Sequence, residues 1–375
     1  MTVRIAQIVP RLQPGRNGLG DYACLLASQL ARHDIETIFI VAGPDGKEDR
    51  PWGPSDIRRN SIYLDTADSG SVARALSVSG VNIVILQFAG YGYSANGAPF
   101  WLADGLEKFK TTPDAAIITM FHETWSKPIP WKKNFFDSFS QYLLARRLLR
   151  LSQRCVTNAG VHVRALSRLH PGKRVEYLPV VSNVGELERV EPKDEGLAVI
   201  FGRARAKERI YRDLAVSGEA LGKLGISRIF DIGERVARIP PALRASVVEQ
   251  GPLDAAGVSA HLRAAKYGLF RYPIRYVGKS GLFAAYAAHG VCPVNLWRRS
   301  LDDNESWFVR MPSGGDGAER GRHYLNWPDV EKNPSGLSRA AADVGRQAWQ
   351  WYKKHDLSVT GRVFATLIAD AAARI

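Results

Sequence analysis

The chain alternates between short apolar runs and longer stretches in which apolar residues recur every three to four positions. Residues 3–9 form a β-branched run, and residues 25–30 sit in a helical window behind a glycine loop. Residues 37–41 read as a strand closed by Gly43-Pro44, 71–78 as a helix, 81–86 as a buried strand and 100–109 as a helix. A strand follows at 115–120 and a long helix at 136–152. The strand runs show almost no apolar–polar alternation, as expected of parallel strands covered on both faces. This order predicts a doubly wound α/β fold.

The alternation pauses and then begins again. Residues 182–196 are polar and mainly acidic, with Glu186, Glu188, Glu191, Asp194 and Glu195, and read as a surface linker. Beyond it, strands are expected at 197–201, 227–232 and 267–270, and helices at 213–221, 258–265 and 282–288. Windows 337–352 and 360–372 are helical. The pattern predicts one domain over 1–188, a second over 189–345, and C-terminal helices over 346–375. A length of 375 residues agrees with roughly two to three domains.

Composition adds mainly exclusions. No window approaches the ~18 uncharged apolar residues of a membrane span. The opening run is too soon broken by Pro10 and Arg11 for a signal peptide. Cys24, Cys155 and Cys292 are odd in number and far apart, so neither a disulfide framework nor a zinc cluster is expected. Charge changes the picture more: 51 Lys and Arg against 37 Asp and Glu give +14. Between Trp131 and Val175, ten basic residues stand against one acid, Asp137. Such a block points to phosphate, nucleic acid or an acidic lipid surface, although a solvated face would look the same. Arg146, Arg150 and Arg154 fall at i, i+4 and i+8, with Arg147 beside them, which makes one helix face basic.

Five stretches carry candidate chemistry. Gly18-Leu19-Gly20-Asp21-Tyr22-Ala23 matches GxGxxA, but it stands eight residues past the first strand, and the second strand ends without the ribose-binding acid. What remains is a glycine loop opening a helix N-terminus, which favours an anion or is an ordinary loop. Phe121-His122-Glu123 directly follows a strand, so His122 faces the ligand crevice or is a satisfied core histidine. The segment 87–101, GYGYSANGAPFW from Gly90 onward, suits a carbohydrate-facing loop or a packed Ω-loop. Tyr93 and Asn96 within it, together with Glu123, are the candidate acceptor contacts. In Gly202-Arg203-Ala204-Arg205-Ala206-Lys207, cations at a strand end could clamp a diphosphate. Gly278-Lys279-Ser280-Gly281 opens a helix with a lysine, a phosphate cradle in principle and otherwise a plain turn. No DxD triplet occurs, and Asp302-Asp303-Asn304-Glu305 reads as a loop, so no catalytic metal is expected.

The ordered set of these motifs resembles bacterial retaining glycosyltransferases of family 4, of the GT-B type, over nearly the whole chain. The glycine loop near 18, GYGY with the following PFWL, FHE at 121–123, GR and K at 202–207 and KSG with AHGVCPV at 279–294 carry the likeness. It implies two Rossmann-like doubly wound domains facing across a cleft, an acceptor-binding one followed by a nucleotide-sugar-binding one. It also implies final helices that return to the first domain. By position, Arg203 and Lys207 resemble the basic pair that neutralises the donor diphosphate, with Gly18 and Gly20 against the phosphates. Lys279, Ser280 and Gly281 join that donor set, and His122 resembles the histidine near the transferred sugar. One departure stands out: the family's acidic pair, as in EGFGLPxxEAMAxGxPV, is absent from 278–290.

The expected activity is therefore sugar transfer from a nucleotide-sugar donor to a glycan or lipid-linked acceptor, with retention and with cations in place of a metal. His122, Arg203 and Lys207 are the expected catalytic residues, and no cofactor is expected. Through the basic region 132–174 the chain is expected to meet an anionic membrane surface, which places it in the cytoplasm, peripheral at the inner face. Nucleic acid is not an expected partner, because the basic block has no recognised module spacing. A decayed sugar- or membrane-binding protein and a GT-B nucleotide-sugar epimerase are the alternatives.

Overall fold

The computed structural model describes residues 3–12, 18–44, 60–126, 135–298, 311–312 and 317–373. The chain divides into two compact units: 1–178 with 357–375, and 179–356. The expected boundaries at 188 and 345 both move. Residues 357–375 fall in the first unit, and residues 346–353 fall in the second.

The first unit contains β1 (Val3–Val9), α1 (Gly18–Ala31), β2 (Ile35–Val41), β3 (Ser61–Tyr63), α2 (Ser69–Ser79), β4 (Ile83–Phe88) and α3 (Gly90–Tyr93). There follow α4 (Phe100–Phe109), β5 (Ala116–Phe121), α5 (Phe135–Leu151), β6 (Arg154–Thr157), α6 (Gly160–Leu169) and β7 (Val175–Tyr177). Its sheet runs β3-β2-β1-β4-β5-β6-β7, every pair parallel. The β4 and β5 side chains are buried throughout, which is why those runs lack polar alternation. Asp68 accepts from the Ser71 amide (2.9 Å) to start α2, and Gly80, at φ 64°, ends it.

The second unit contains β8 (Asp194–Gly202), α7 (Ala204–Val216), α8 (Gly218–Leu224), β9 (Arg228–Gly233), α9 (Pro241–Arg244) and β10 (Val247–Gly251). Next come α10 (Ala255–Ala264), β11 (Ala265–Phe270), a 3₁₀ turn (Ile274–Lys279), α11 (Gly281–Ala288) and β12 (Cys292–Asn295). The unit ends with β13 (Leu325–Asn326), α12 (Trp327–Lys332) and α13 (Pro334–Lys353). Its sheet, β10-β9-β8-β11-β12-β13, is also wholly parallel. Gly268 sits mid-strand because the Tyr286 ring crosses it; a Cβ there would lie 2.4 Å from the ring. The Tyr286 hydroxyl, so placed, reaches the Leu269 carbonyl (3.0 Å).

The acidic stretch 182–196 is not a loose linker. Tyr352 holds Ser182 and Glu186, the Leu187 amide donates to Ala288, and Asp194 already opens β8. Lys193 reaches inward to the carbonyls of His289 (2.7 Å), Arg263 (2.9 Å) and Leu262 (3.1 Å). A cation there satisfies the ends of two helices at once. The last helix, α14 (Leu357–Ala372), packs on α1, and Asp370 pairs with Arg154 (2.8 Å).

Candidate functional site

In the first unit the carboxyl ends of β1, β4, β5 and β6 lie side by side, with the reversal of strand order between β1 and β4. A chain of amides and one imidazole crosses these four strands. It starts from an obligate acceptor, the Ala23 carbonyl, which takes the Gln7 Nε2 proton (3.3 Å). Gln7 Oε1 then accepts from Gln87 Nε2 (2.9 Å), so Gln87 Oε1 faces His122 Nε2 (2.8 Å) as an acceptor. His122 must therefore be protonated on Nε2, and its Nδ1 accepts from Asn158 Nδ2 (3.1 Å). Both nitrogens of the imidazole are engaged. Any proton transfer by His122 would first have to break the bond to Gln87 or Asn158, so the geometry suits a positioning group.

Two atoms in this cluster have no hydrogen-bond partner among the described residues: Asn158 Oδ1 and the Tyr22 hydroxyl. Both residues are buried, and the Tyr22 ring stands edge-on to His122 with centroids 5.3 Å apart. Burial holds the Tyr22 hydroxyl far above its usual pKa, so it stays a neutral donor. A buried donor and a buried acceptor beside one histidine are completed by water or by ligand hydroxyls.

The glycines behave differently from each other. A Cβ on Gly20 would lie 2.8 Å from the Arg11 carbonyl oxygen, so Gly20 lets α1 pack on the chain leaving β1. Gly18 opens α1 with free space around its Cα. Tyr93 is a correction: it is buried, and its hydroxyl donates to the carbonyls of Gln87 (2.9 Å) and Ile8 (3.1 Å), which makes it a packing residue rather than an acceptor contact. Asn96 is exposed, but its Oδ1 closes its own turn on Ser94 (2.9 Å) and the Ala98 amide (3.0 Å). Glu123 is half-buried directly beyond His122, at the end of β5.

In the second unit β8 and β9 end at Gly202 (φ 130°) and Gly233 (φ 102°). A Cβ on Gly233 would meet the Gly202 carbonyl at 2.5 Å, so only glycine permits this approach. Arg203 follows, exposed at the start of α7. The Ala204 amide donates to the Glu234 carboxylate (3.1 Å), so the helix N-terminus already holds an anionic group. Lys207 corrects the second cation of the expected pair. Its ammonium is turned inward, 1% exposed, on Asp231, whose other oxygen accepts from Tyr211 (2.5 Å). Lys279 ends the 3₁₀ turn over the Tyr276 ring (5.9 Å). Ser280 is buried and uses its hydroxyl as the N-cap of α11, accepting from the Phe283 amide (3.2 Å), while Gly281 beside it has open space.

Three cations of the basic block have acidic partners. Arg147 pairs with Asp104 (2.6 Å) and Glu107, Arg174 with Glu176, and Arg154 lies in β6 on Asp370 rather than on the helix. Arg146 and Arg150 are exposed on α5. Lys132, Lys133 and the acidic run 302–305 lie outside the described residues. Among those described, no three His, Cys, Asp or Glu side chains gather as a metal site, and no helix is long and apolar enough to cross a membrane. Gln7 and Asn158 lie outside the sequence motifs, and Gln87 stands at the head of the 87–101 segment with no role assigned to it. A glutamine within the apolar part of each of two strands was the available signal.

No protein-family model and no curated protein matches the sequence. Solved structures do. An α-glucosyltransferase in complex with UDP and a 13-mer DNA containing a HMU base aligns with TM-score 0.59 and 10% identity, covering 100% of both chains. The pneumococcal O-GlcNAc transferase GtfA, in complex with UDP and GlcNAc, aligns with TM-score 0.63 and 8% identity over 99% of each chain. A UDP-N-acetylglucosamine 2-epimerase homologue from Listeria monocytogenes gives 0.58 and 11%, covering 100% of this chain and 98% of that one. Two doubly wound parallel units, matched over nearly the full length, give this chain the GT-B fold.

Proposed function

We propose that this chain is a glycosyltransferase, moving a sugar from a nucleotide-sugar donor to a glycan or lipid-linked acceptor with retention and without a metal. The observation that carries the reading is the full-length likeness to sugar transferases that hold UDP. At the donor end, Arg203 and the starts of α7 and α11 would receive the diphosphate, with Lys279 adding charge. Donor phosphate would then take the Ala204 amide from Glu234. As the anomeric carbon–oxygen bond breaks, the acceptor oxygen bonds to that carbon on the same face. The departing phosphate takes the acceptor's proton, so no carboxylate base is needed. Lys207 would serve by holding Asp231 and the end of β9. In the first unit, Tyr22 and Asn158 would meet sugar or acceptor hydroxyls, aligned by His122.

The epimerase-like neighbour favours a second reading, a nucleotide-sugar epimerase, while the missing acidic pair favours a decayed binding protein. One experiment separates them. Thermal shift with UDP-, GDP-, ADP- and CDP-type nucleotides and their sugars, with and without Mg²⁺, identifies the donor. A ligand at a hundred times its dissociation constant adds about 2.7 kcal/mol. Turnover of that donor is then measured with no acceptor, with a lipid-linked or oligosaccharide acceptor, and with duplex DNA. Conversion without acceptor favours the epimerase, and modified DNA would replace the glycan acceptor. No shift with any nucleotide overturns the enzyme reading in favour of a binding protein.

A further inference from the structure

Helix α5 carries an apolar ridge that the other described residues of the first unit leave largely exposed. Phe135, Phe136, Phe139, Tyr142 and Leu143 are all exposed, Phe136 at 79% and Phe139 at 64%. They account for nearly half of the large apolar side chains left exposed among the described residues. Along one face, Phe136, Phe139, Leu143, Arg146 and Arg150 follow each other at spacings of three and four, so they form a single stripe. The stripe is apolar over its first half and cationic over its second. The opposite face, through Gln141, Leu144, Leu148 and Leu149, is buried in the core.

We infer that this stripe is a membrane-docking surface, seating the first unit on an anionic lipid bilayer. A helix lying in the interface buries its apolar side ~5–10 Å deep while its cations meet the headgroups. The stripe has that division, with cations adjacent to the aromatics and the neighbouring Arg147 already spent on Asp104 and Glu107. A protein partner fits less well: a stable interface takes about 20–30 residues a side, and the ridge offers five on one helix. The basic face expected from spacing alone is thereby replaced. Arg154 leaves it for Asp370, and phenylalanines take over as the anchoring groups.

The same helix is tied to the loop expected to face the acceptor. Gln141 Oε1 accepts from the Ser126 amide (2.8 Å), and its Nε2 donates to the Asn96 carbonyl (2.7 Å) and the Tyr91 hydroxyl (3.0 Å). Gln141 lies on the buried face, opposite the stripe, so this tie fixes α5 against the 91–96 loop while the stripe stays exposed. The docking does not rest on the transferase reading.

The test is flotation of the full chain with vesicles of 70% phosphatidylcholine and 30% phosphatidylglycerol, without any nucleotide sugar. Binding is expected at 0.1 M salt. Phe136→Ser/Phe139→Ser should weaken it on the order of 100-fold, about tenfold for each buried ring. Arg146→Gln/Arg150→Gln should weaken it about 25-fold, roughly fivefold per cation, a loss that 0.5 M salt reproduces in the wild type. Phe136→Trp/Phe139→Trp should bind like wild type, and all variants should melt with it. No flotation at 0.1 M salt overturns the inference, as does flotation indifferent to the phenylalanines. A wild-type dimer that the serine variant dissolves would assign the ridge to a second copy instead. An inactive chain that floats upholds this inference and removes only the transferase reading.

Discussion

Lys207 is the residue whose role the structure changes most, and its substitution makes the sharpest test. Lys207 and Asp231 are 1% and 3% exposed, and Tyr211 donates to the same carboxylate. Lys207→Met would leave the Asp231 charge buried with a single hydroxyl donor. Breaking a buried pair from one side costs about 3–5 kcal/mol. In a unit the size of 179–356 each kcal/mol lowers Tm by about 2–4 °C, so the variant should melt about 6–20 °C lower. Lys207→Met/Asp231→Asn removes both charges, keeps an acceptor for Tyr211, and should recover most of that loss. The assay is differential scanning calorimetry of the four proteins of the cycle, paired with nucleotide binding. A Lys207→Met protein that melts within 2 °C of wild type yet no longer binds nucleotide would refute the inward placement. Lys207 would then belong to the donor site, as the motif alone suggests.

Other consequences are more direct. Arg203→Ala should lower turnover on the order of 10²-fold and leave Tm unchanged, since the side chain is exposed; wild-type turnover would remove it from the donor site. Burial holds His289, His323 and His355 below their ordinary 6.5, at about 4, about 3 and about 3. The unfolded chain therefore binds protons first as pH falls from 6.5 toward 4. Stability drops through that window, by up to about 3 kcal/mol for His289 alone. Melts at pH 7, 5.5 and 4.5 should show the second unit losing stability, and a flat Tm would contradict the buried neutral state. Gly268→Ala pushes a methyl into the Tyr286 ring and should cost about 1–3 kcal/mol, read by urea unfolding; an unchanged midpoint would mean that the ring moves freely.

Several elements were legible in the chain itself. The runs 3–9 and 100–109 became β1 and α4 with their expected bounds, and the other strands and helices expected from periodicity are present within a few residues. The exception is 213–221, which the structure splits at Ser217 into α7 and α8. Apolar periodicity is written within a single turn or strand, so it survives without knowledge of the partner. The two-unit order, the strand-end placement of His122 and Arg203, and the helix opening at Gly281 followed from the same local signal.

What tertiary structure alone decided were the partners. Arg154 continues the spacing of Arg146 and Arg150, yet the helix stops at Leu151, and pairing with β5 draws Arg154 into β6. Residues 182–196 look like a linker by composition, but Lys193 finds three carbonyls contributed by two distant helices. Lys207 has the sequence context of a phosphate ligand, and Asp231, 24 residues on, claims it. The sequence by itself determined which side chains carry charge and which segments turn or extend. The destination of each charge was decided by which strands lie side by side, because a buried ion is held only by groups within a few ångströms, and those come from elsewhere in the chain.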